Sequence, residues 1–295
     1  MDTPTTSFPP DSLADFPRET APATPVIDPD NPPWGVIAAV LMWMMSILIL
    51  GMIPFFALTF YLSYRGIPFT PESMERAMTV DPQGILTSIA SVIPAHLLTI
   101  ALAWALVTGF GKRPFWETLG WRFTERFGFW TSAFLAVALL VLGGVILHFF
   151  GGSETDIDQI ITSSTAARFT TAFLATATAP LVEELIYRGV LYSAVQRALG
   201  ALWAIVGVSS LFALVHAWQY RKNLGVIATI AILSFTLTFV RARTGRLLPC
   251  FVIHTVFNGI QSAFIVYNYF HPEPEGEIKA GLFLTPLART FGLTF

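Results

Sequence analysis

The residues with chemistry to offer stand out because almost everything around them is apolar. In Ala179-Pro180-Leu181-Val182-Glu183-Glu184-Leu185-Ile186-Tyr187-Arg188-Gly189, two carboxylates sit side by side and an arginine follows the second by four residues. Adjacent carboxylates in apolar surroundings repel each other and resist ionisation unless a cation is near. On a helix, Glu184 and Arg188 share a face and can pair, whereas Glu183 points about 100° away and is not obliged to share the arginine. That spacing predicts one carboxylate held structurally and one left free. A free, sheltered carboxylate is suited to act as general base on a water near neutral pH. An ion pair alone can merely join helices; the second, adjacent glutamate is what points to chemistry.

Two further polar elements lie in apolar stretches. Phe212 and His216 share a helix face at a spacing of four, and so do His254 and Asn258. A lone histidine at a helix end is commonly an interfacial hydrogen-bonding residue. An imidazole and a carboxamide on one face, however, both reach one small polar group, and each is a natural donor to an oxyanion. A base, a proton shuttle and oxyanion donors around one water suit the hydrolysis of an amide. No His-Glu-x-x-His pair occurs, so a standard zincin site is absent. Glu183, His216 and His254 could nevertheless hold a zinc ion with an open water position; the preferred reading requires no metal. His96 and His148 have no partner at helical spacing and read as structural, and His271 lies beyond the last apolar stretch. Cys250, the single cysteine, excludes an internal disulfide and reads as an inert buried thiol.

The elements that must position these groups are transmembrane helices. The 295 residues are 54% hydrophobic and only 12% charged, about half the charged share of a soluble domain, and mean hydropathy is +0.63. Apolar runs long enough to cross a bilayer occur at 35–63, 84–108, 128–150, 169–187, 201–217, 224–240 and 247–270. Backbone groups in lipid must be satisfied within their own segment, so the expected fold is all-α. It is a polytopic transmembrane bundle of about seven spans, eight if the weak apolar stretch 280–295 also crosses rather than lying on the interface. Pro54 and Pro94 mark kinks. Residues 1–33, rich in proline, threonine and aspartate, read as a disordered tail. The chain then divides into N-terminal transmembrane helices over 34–164, the helices bearing the polar motifs over 165–271, and a C-terminal tail over 272–295.

Lys112, Arg113, Arg122 and Arg126 in one loop and Arg241, Arg243 and Arg246 in another put these loops and the N-terminus on the cytoplasmic side. The net charge of −2, with no basic cluster, excludes a nucleic-acid partner. A plasma (inner) membrane setting follows, with a membrane-associated peptide or protein as substrate. One tension remains. Residues 201–216 rise about 22 Å along a straight helix, which carries His216 toward the far face, while His254 comes early in the last span. Convergence needs 169–199 to be one long tilted helix with the glutamates at mid-depth, or 201–217 to be displaced.

Glu-Glu-x-x-x-Arg, Phe-x-x-x-His and His-x-x-x-Asn, in that order on successive apolar helices, resemble the CPBP family. That family comprises type II CAAX prenyl endopeptidases and bacterial relatives linked to bacteriocin processing and self-immunity. The resemblance covers roughly 168–270, including Thr244-Gly245-Arg246-Leu247-Leu248-Pro249 leading into the last motif. It implies that Glu183 and His216 activate the attacking water, that His254 and Asn258 complete the site by stabilising the oxyanion, and that Glu184 and Arg188 shape and neutralise the first motif. Family members are described both as metalloproteases and as metal-independent glutamate proteases. Two competing expectations are a non-catalytic membrane adaptor or immunity protein of the same fold and, with less support, a proton-coupled transporter.

Overall fold

A computed structural model describes residues 28–151 and 155–271. These residues are helical with short connections, and the one β feature among them is an isolated bridge between Asp28 and Asn31. In chain order the helices are α1 (Val36–Tyr64), α2 (Pro71–Thr79), α3 (Pro82–Ala90), α4 (Val92–Thr108), α5 (Phe115–Thr118), α6 (Phe129–Phe150) and α7 (Asp156–Ser163). A continuous helical run over 165–199 follows, made of α8 (Thr165–Phe173), a π-helical stretch (Leu174–Thr178), α9 (Ala179–Glu184), a second π-helical stretch (Leu185–Leu191) and α10 (Tyr192–Leu199). The chain closes with α11 (Ala201–Gln219), α12 (Leu224–Thr244) and α13 (Leu248–Phe270).

Six helices among the described residues are long and apolar enough to cross a membrane: α1, α3 with α4 (Pro82–Thr108), α6, α11, α12 and α13. The seventh expected segment, 169–187, lies inside the run 165–199, which is interrupted by π turns and is not among those six. In the most apolar stretch of α1 only 22% of residues are buried, although its mean hydropathy is 2.6. A helix apolar on every face and exposed on most of them is stable in lipid, not in water. The protein is an integral, multi-pass membrane protein.

The run 165–199 is the spine of the bundle. It contacts α1 and α4 on one side and α11, α12 and α13 on the other, while α12 and α13 also pack on α6. One core cluster joins Trp34, Ala39, Val107, Ile186, Val190 and Phe212; another joins Leu140, Leu237, Cys250 and Phe257. Gly200, at φ 86° and ψ 162°, makes the turn between α10 and α11 in backbone space that is essentially glycine-only.

The tail expected over 1–33 falls outside the described residues as far as 27, but its last six residues are held against the bundle. Asp30 pairs with the buried Arg241 at 2.7 Å, and the Pro29 carbonyl accepts from the same guanidinium at 2.8 Å. Arg197 donates to the carbonyls of Pro32 and Trp34, and the Trp34 indole donates to Val190 O at 3.0 Å. Charge and proline content predict no such contact, because the stabilisation comes from arginine donors about 165 and 210 positions away. Leu247 N–H donates to Gly120 O at 3.0 Å. The N-terminal strap, the basic loop 109–128 and the α12–α13 turn therefore meet at one end of the bundle, as the charge placement predicts. The stretch expected at 272–295 lies outside the described residues.

Candidate active site

The first motif divides as its spacing predicts. Glu184 and Arg188 are fully buried and paired at 2.9 Å. Arg188 also donates to the Ser234 hydroxyl at 2.8 Å, the Ser234 carbonyl at 3.0 Å and the Thr238 hydroxyl at 3.3 Å. Its guanidinium lies 4.7 Å from the centroid of the Phe212 ring, a cation–π contact that a desolvated arginine favours. Nη1 thus reaches Glu184, while Nε and Nη2 reach α12. Such added hydrogen bonds offset part of what a buried ion pair loses with its water; Glu184 Oε2 has no partner among the described residues.

Glu183 takes the opposite environment. Its side chain is 24% exposed and faces two imidazoles: His216 Nε2 lies 3.9 Å from one carboxylate oxygen and His254 Nε2 lies 3.7 Å from the other. The far nitrogen of each ring is committed. His216 Nδ1 donates to the Phe212 carbonyl at 2.8 Å, and His254 Nδ1 donates to Glu184 at 2.8 Å. Carbonyl and carboxylate oxygens only accept, so both rings carry their first proton on Nδ1 and turn Nε2 toward Glu183. Phe212 orients the pair further, stacked on His216 at 4.4 Å between centroids and edge-on to His254 at 6.1 Å.

The depth tension resolves through the α10–α11 hairpin. Glu183 precedes Gly200 by 17 residues (200 − 183) and His216 follows it by 16 (216 − 200). At about 1.5 Å per residue both lie roughly 24–26 Å from the turn, and an antiparallel pair brings them level. This needs 165–199 to be one continuous run, which it is.

Asn258 is placed by a missing donor. In the first π turn, Ala179 N–H donates to Leu174 O, five residues back. The next such bond would run from residue 180 to Ala175 O, but Pro180 has no N–H. Asn258 Nδ2 supplies the donor at 3.0 Å. His254 and Asn258 thereby staple α13 to the spine at Glu184 and Ala175. The carboxamide keeps one N–H beyond that bond, and Asn258 lines the cavity that Glu183 faces.

That cavity measures about 510 Å³. Glu183, His216, His254, Asn258 and Phe212 line it, with apolar walls from α1 (Ile47, Leu50) and α3–α4 (Ile89, Val92). Spacing within helices misses polar wall residues, among them His96, Tyr187 and Tyr220. His96 read as structural because it has no partner on its own helix. Its partner is Thr178, whose hydroxyl lies 2.8 Å from His96 Nδ1 across 82 residues of sequence. Glu183, His216 and His254 have the donor chemistry of a zinc site. Among the described residues, however, no group of three or more His, Cys, Asp or Glu side chains is arranged to hold a metal ion.

Residues 165–260 match the family model of Rce1-like type II CAAX prenyl endopeptidases. No curated protein and no solved structure matches the chain. The Rce1-like segment runs from the start of α8 into α13 and contains Glu183, Glu184, Arg188, Phe212, His216, His254 and Asn258. It excludes α1–α6, so His96 and the opposite cavity wall lie outside the Rce1-like segment.

Proposed function

We propose that this protein is an intramembrane endopeptidase of the type II CAAX kind, acting on a membrane-associated peptide or protein from the plasma (inner) membrane. The observation that carries the reading is the meeting of Glu183 with His216 Nε2 and His254 Nε2 at 3.9 and 3.7 Å on a cavity roofed by lipid-facing helices. Three helices contribute one polar group each, and the Rce1-like match covers all three.

In this reading a water sits between Glu183 and His216. Glu183 takes its proton as the oxygen attacks the scissile carbonyl, and His216 Nε2 accepts a hydrogen bond from the same water. The tetrahedral oxyanion is stabilised by the free Asn258 N–H and by His254. With Nδ1–H committed to Glu184, His254 donates to the oxyanion only when Nε2 also carries a proton. Collapse breaks the C–N bond, and the proton held by Glu183 passes to the leaving amine. Glu184 and Arg188 keep the His254 ring in register and touch no reacting atom. The apolar walls accept a lipidated or membrane-inserted segment of the substrate.

The test uses the purified full chain in lipid vesicles with an internally quenched peptide ending in a prenylated Cys-a-a-X sequence. Glu183→Gln and His216→Ala are each expected to lower turnover by about 10²–10⁴-fold while the protein inserts normally. Retained turnover in either folded variant defeats the assigned mechanism.

A further inference from the structure

We propose that His96, held by Thr178, is a further catalytic residue: an Nε2–H donor that binds the substrate carbonyl across the cavity from Glu183. The proposal rests on the endopeptidase reading above and adds a residue from the half of the chain that the Rce1-like match leaves out.

The oxyanion donors assigned so far are two: the remaining Asn258 N–H, and His254 when its Nε2 is protonated. Glu183 offers two oxygens, and the rings of His216 and His254 each turn Nε2 into the same space, because acceptors hold their Nδ1–H groups. Asn258 has given one amide N–H to Ala175. A carbonyl entering this cavity as a growing oxyanion needs donors aimed at it.

His96 differs from the other two imidazoles in what holds it. Its Nδ1 meets a hydroxyl, which can donate. Many helical threonines elsewhere turn their hydroxyl protons onto their own backbone, though Thr171 and Thr255 do not. Thr59, Thr87, Thr99, Thr108, Thr229 and Thr238 each donate to the carbonyl four residues back, at 2.7–2.9 Å. Thr178 does not. It ends the first π turn, where Leu174 O accepts from Ala179 N–H five residues on. Among the described residues its hydroxyl meets His96 Nδ1 instead. A Thr178 proton turned onto Nδ1 places the ring proton of His96 on Nε2, the tautomer the proposal requires.

The backbone places His96 on the cavity wall. Pro94 cannot donate to the carbonyl four residues earlier, and the helix is broken at Ser91 between α3 and α4. His96 lies in the first turn and a half of α4, with Ile89, Val92 and His96 on one face toward the cavity. The ring is only 5% exposed, so it is fixed before substrate arrives. Thr178 precedes Glu183 by five residues (183 − 178), about 7–8 Å along the spine. That gap accommodates a water on Glu183 and a carbonyl whose oxygen points to His96. Thr178 is then a positioning residue, acting only through the imidazole.

Two measurements test this on the full chain. In the vesicle assay with the prenylated quenched peptide, His96→Ala is expected to lower kcat by about 10²-fold with little change in KM. His96→Gln, which keeps a side-chain N–H, recovers part of that loss. Thr178→Val lowers kcat less, and Thr178→Ser restores it. Unchanged kcat in His96→Ala, in a protein whose Glu183→Gln variant is inactive, overturns the role of His96 alone; an active Glu183→Gln overturns the endopeptidase reading beneath it. The second measurement needs no turnover. Nitrogen-15 spectra of histidine-labelled protein should show the His96 proton on Nε2, assigned by its loss in His96→Gln, and the His216 and His254 protons on Nδ1. A His96 proton on Nδ1 overturns the proposal.

Discussion

Glu183 and Glu184 are neighbours in sequence and opposites in environment. Glu184 is sealed between Arg188 at 2.9 Å and His254 at 2.8 Å with no exposed surface. Glu183, one residue earlier, is 24% exposed on a cavity and meets its two imidazoles only at 3.7–3.9 Å. The difference is one residue of helical rotation. It separates a carboxylate whose Oε1 holds both Arg188 and His254 from one whose oxygens are left for a water and a substrate. Fixed partners make Glu184 part of the scaffold, and loose, directed ones leave Glu183 reactive.

The largest effect that can break this comparison is on stability. Arg188→Met leaves Glu184 buried without its cation and should cost about 3–5 kcal/mol, read as lost folded yield and a lowered unfolding temperature in detergent. Glu183→Gln should change stability by less than about 0.5–1 kcal/mol, as for a surface substitution, while removing turnover. Comparable destabilisation in both would show that the two carboxylates do not divide the work. A sharper form pairs Glu184→Gln with Arg188→Met. Removing both charges should recover much of the stability lost by the single change, yet turnover stays low because His254 Nδ1 has lost its carboxylate.

A smaller effect is expected at the other end of the α13 staple. Asn258→Leu leaves Ala175 O without the donor that Pro180 cannot supply, at a cost of about 1–3 kcal/mol. Amide exchange around the first π turn should quicken before any other part of the spine, and uniform exchange would argue against the staple. The smallest effect concerns a carboxylate far from both glutamates. Burial pushes the Asp81 carboxyl up, but the Tyr61 phenol, the N–H groups of Gln83 and Gly84 and the Arg65 charge together hold it below its ordinary value. A lowered carboxylate contributes stability above its unfolded-state pKa and loses it as pH falls through the folded value. Unfolding temperature should therefore decline slightly below about pH 4, and Asp81→Asn should abolish that part of the decline.

Much of this was legible in the chain. The all-α membrane character followed from hydropathy, because no other solvent accepts helices apolar on every face. The Glu184–Arg188 pair and the freedom of Glu183 followed from the 100° step of a helix, and the His254–Asn258 face from the spacing of four. The strap at 28–33 was read as part of a tail because its partners, Arg197 and Arg241, are too distant for any local pattern to reveal. His96 was read as structural for the same reason, its partner being a threonine on another helix.

Local sequence thus determined which side chains share a face, since rotation per residue is a property of the helix itself. Only tertiary structure decided which faces meet. The height of His216 depends on where the chain turns at Gly200, and the level reached by Glu183 on the spine remaining continuous through two π turns. The second role of Asn258 depends on a carbonyl orphaned by a proline 78 residues earlier (258 − 180). Such contacts are fixed by packing between helices, and packing depends on every helix at once.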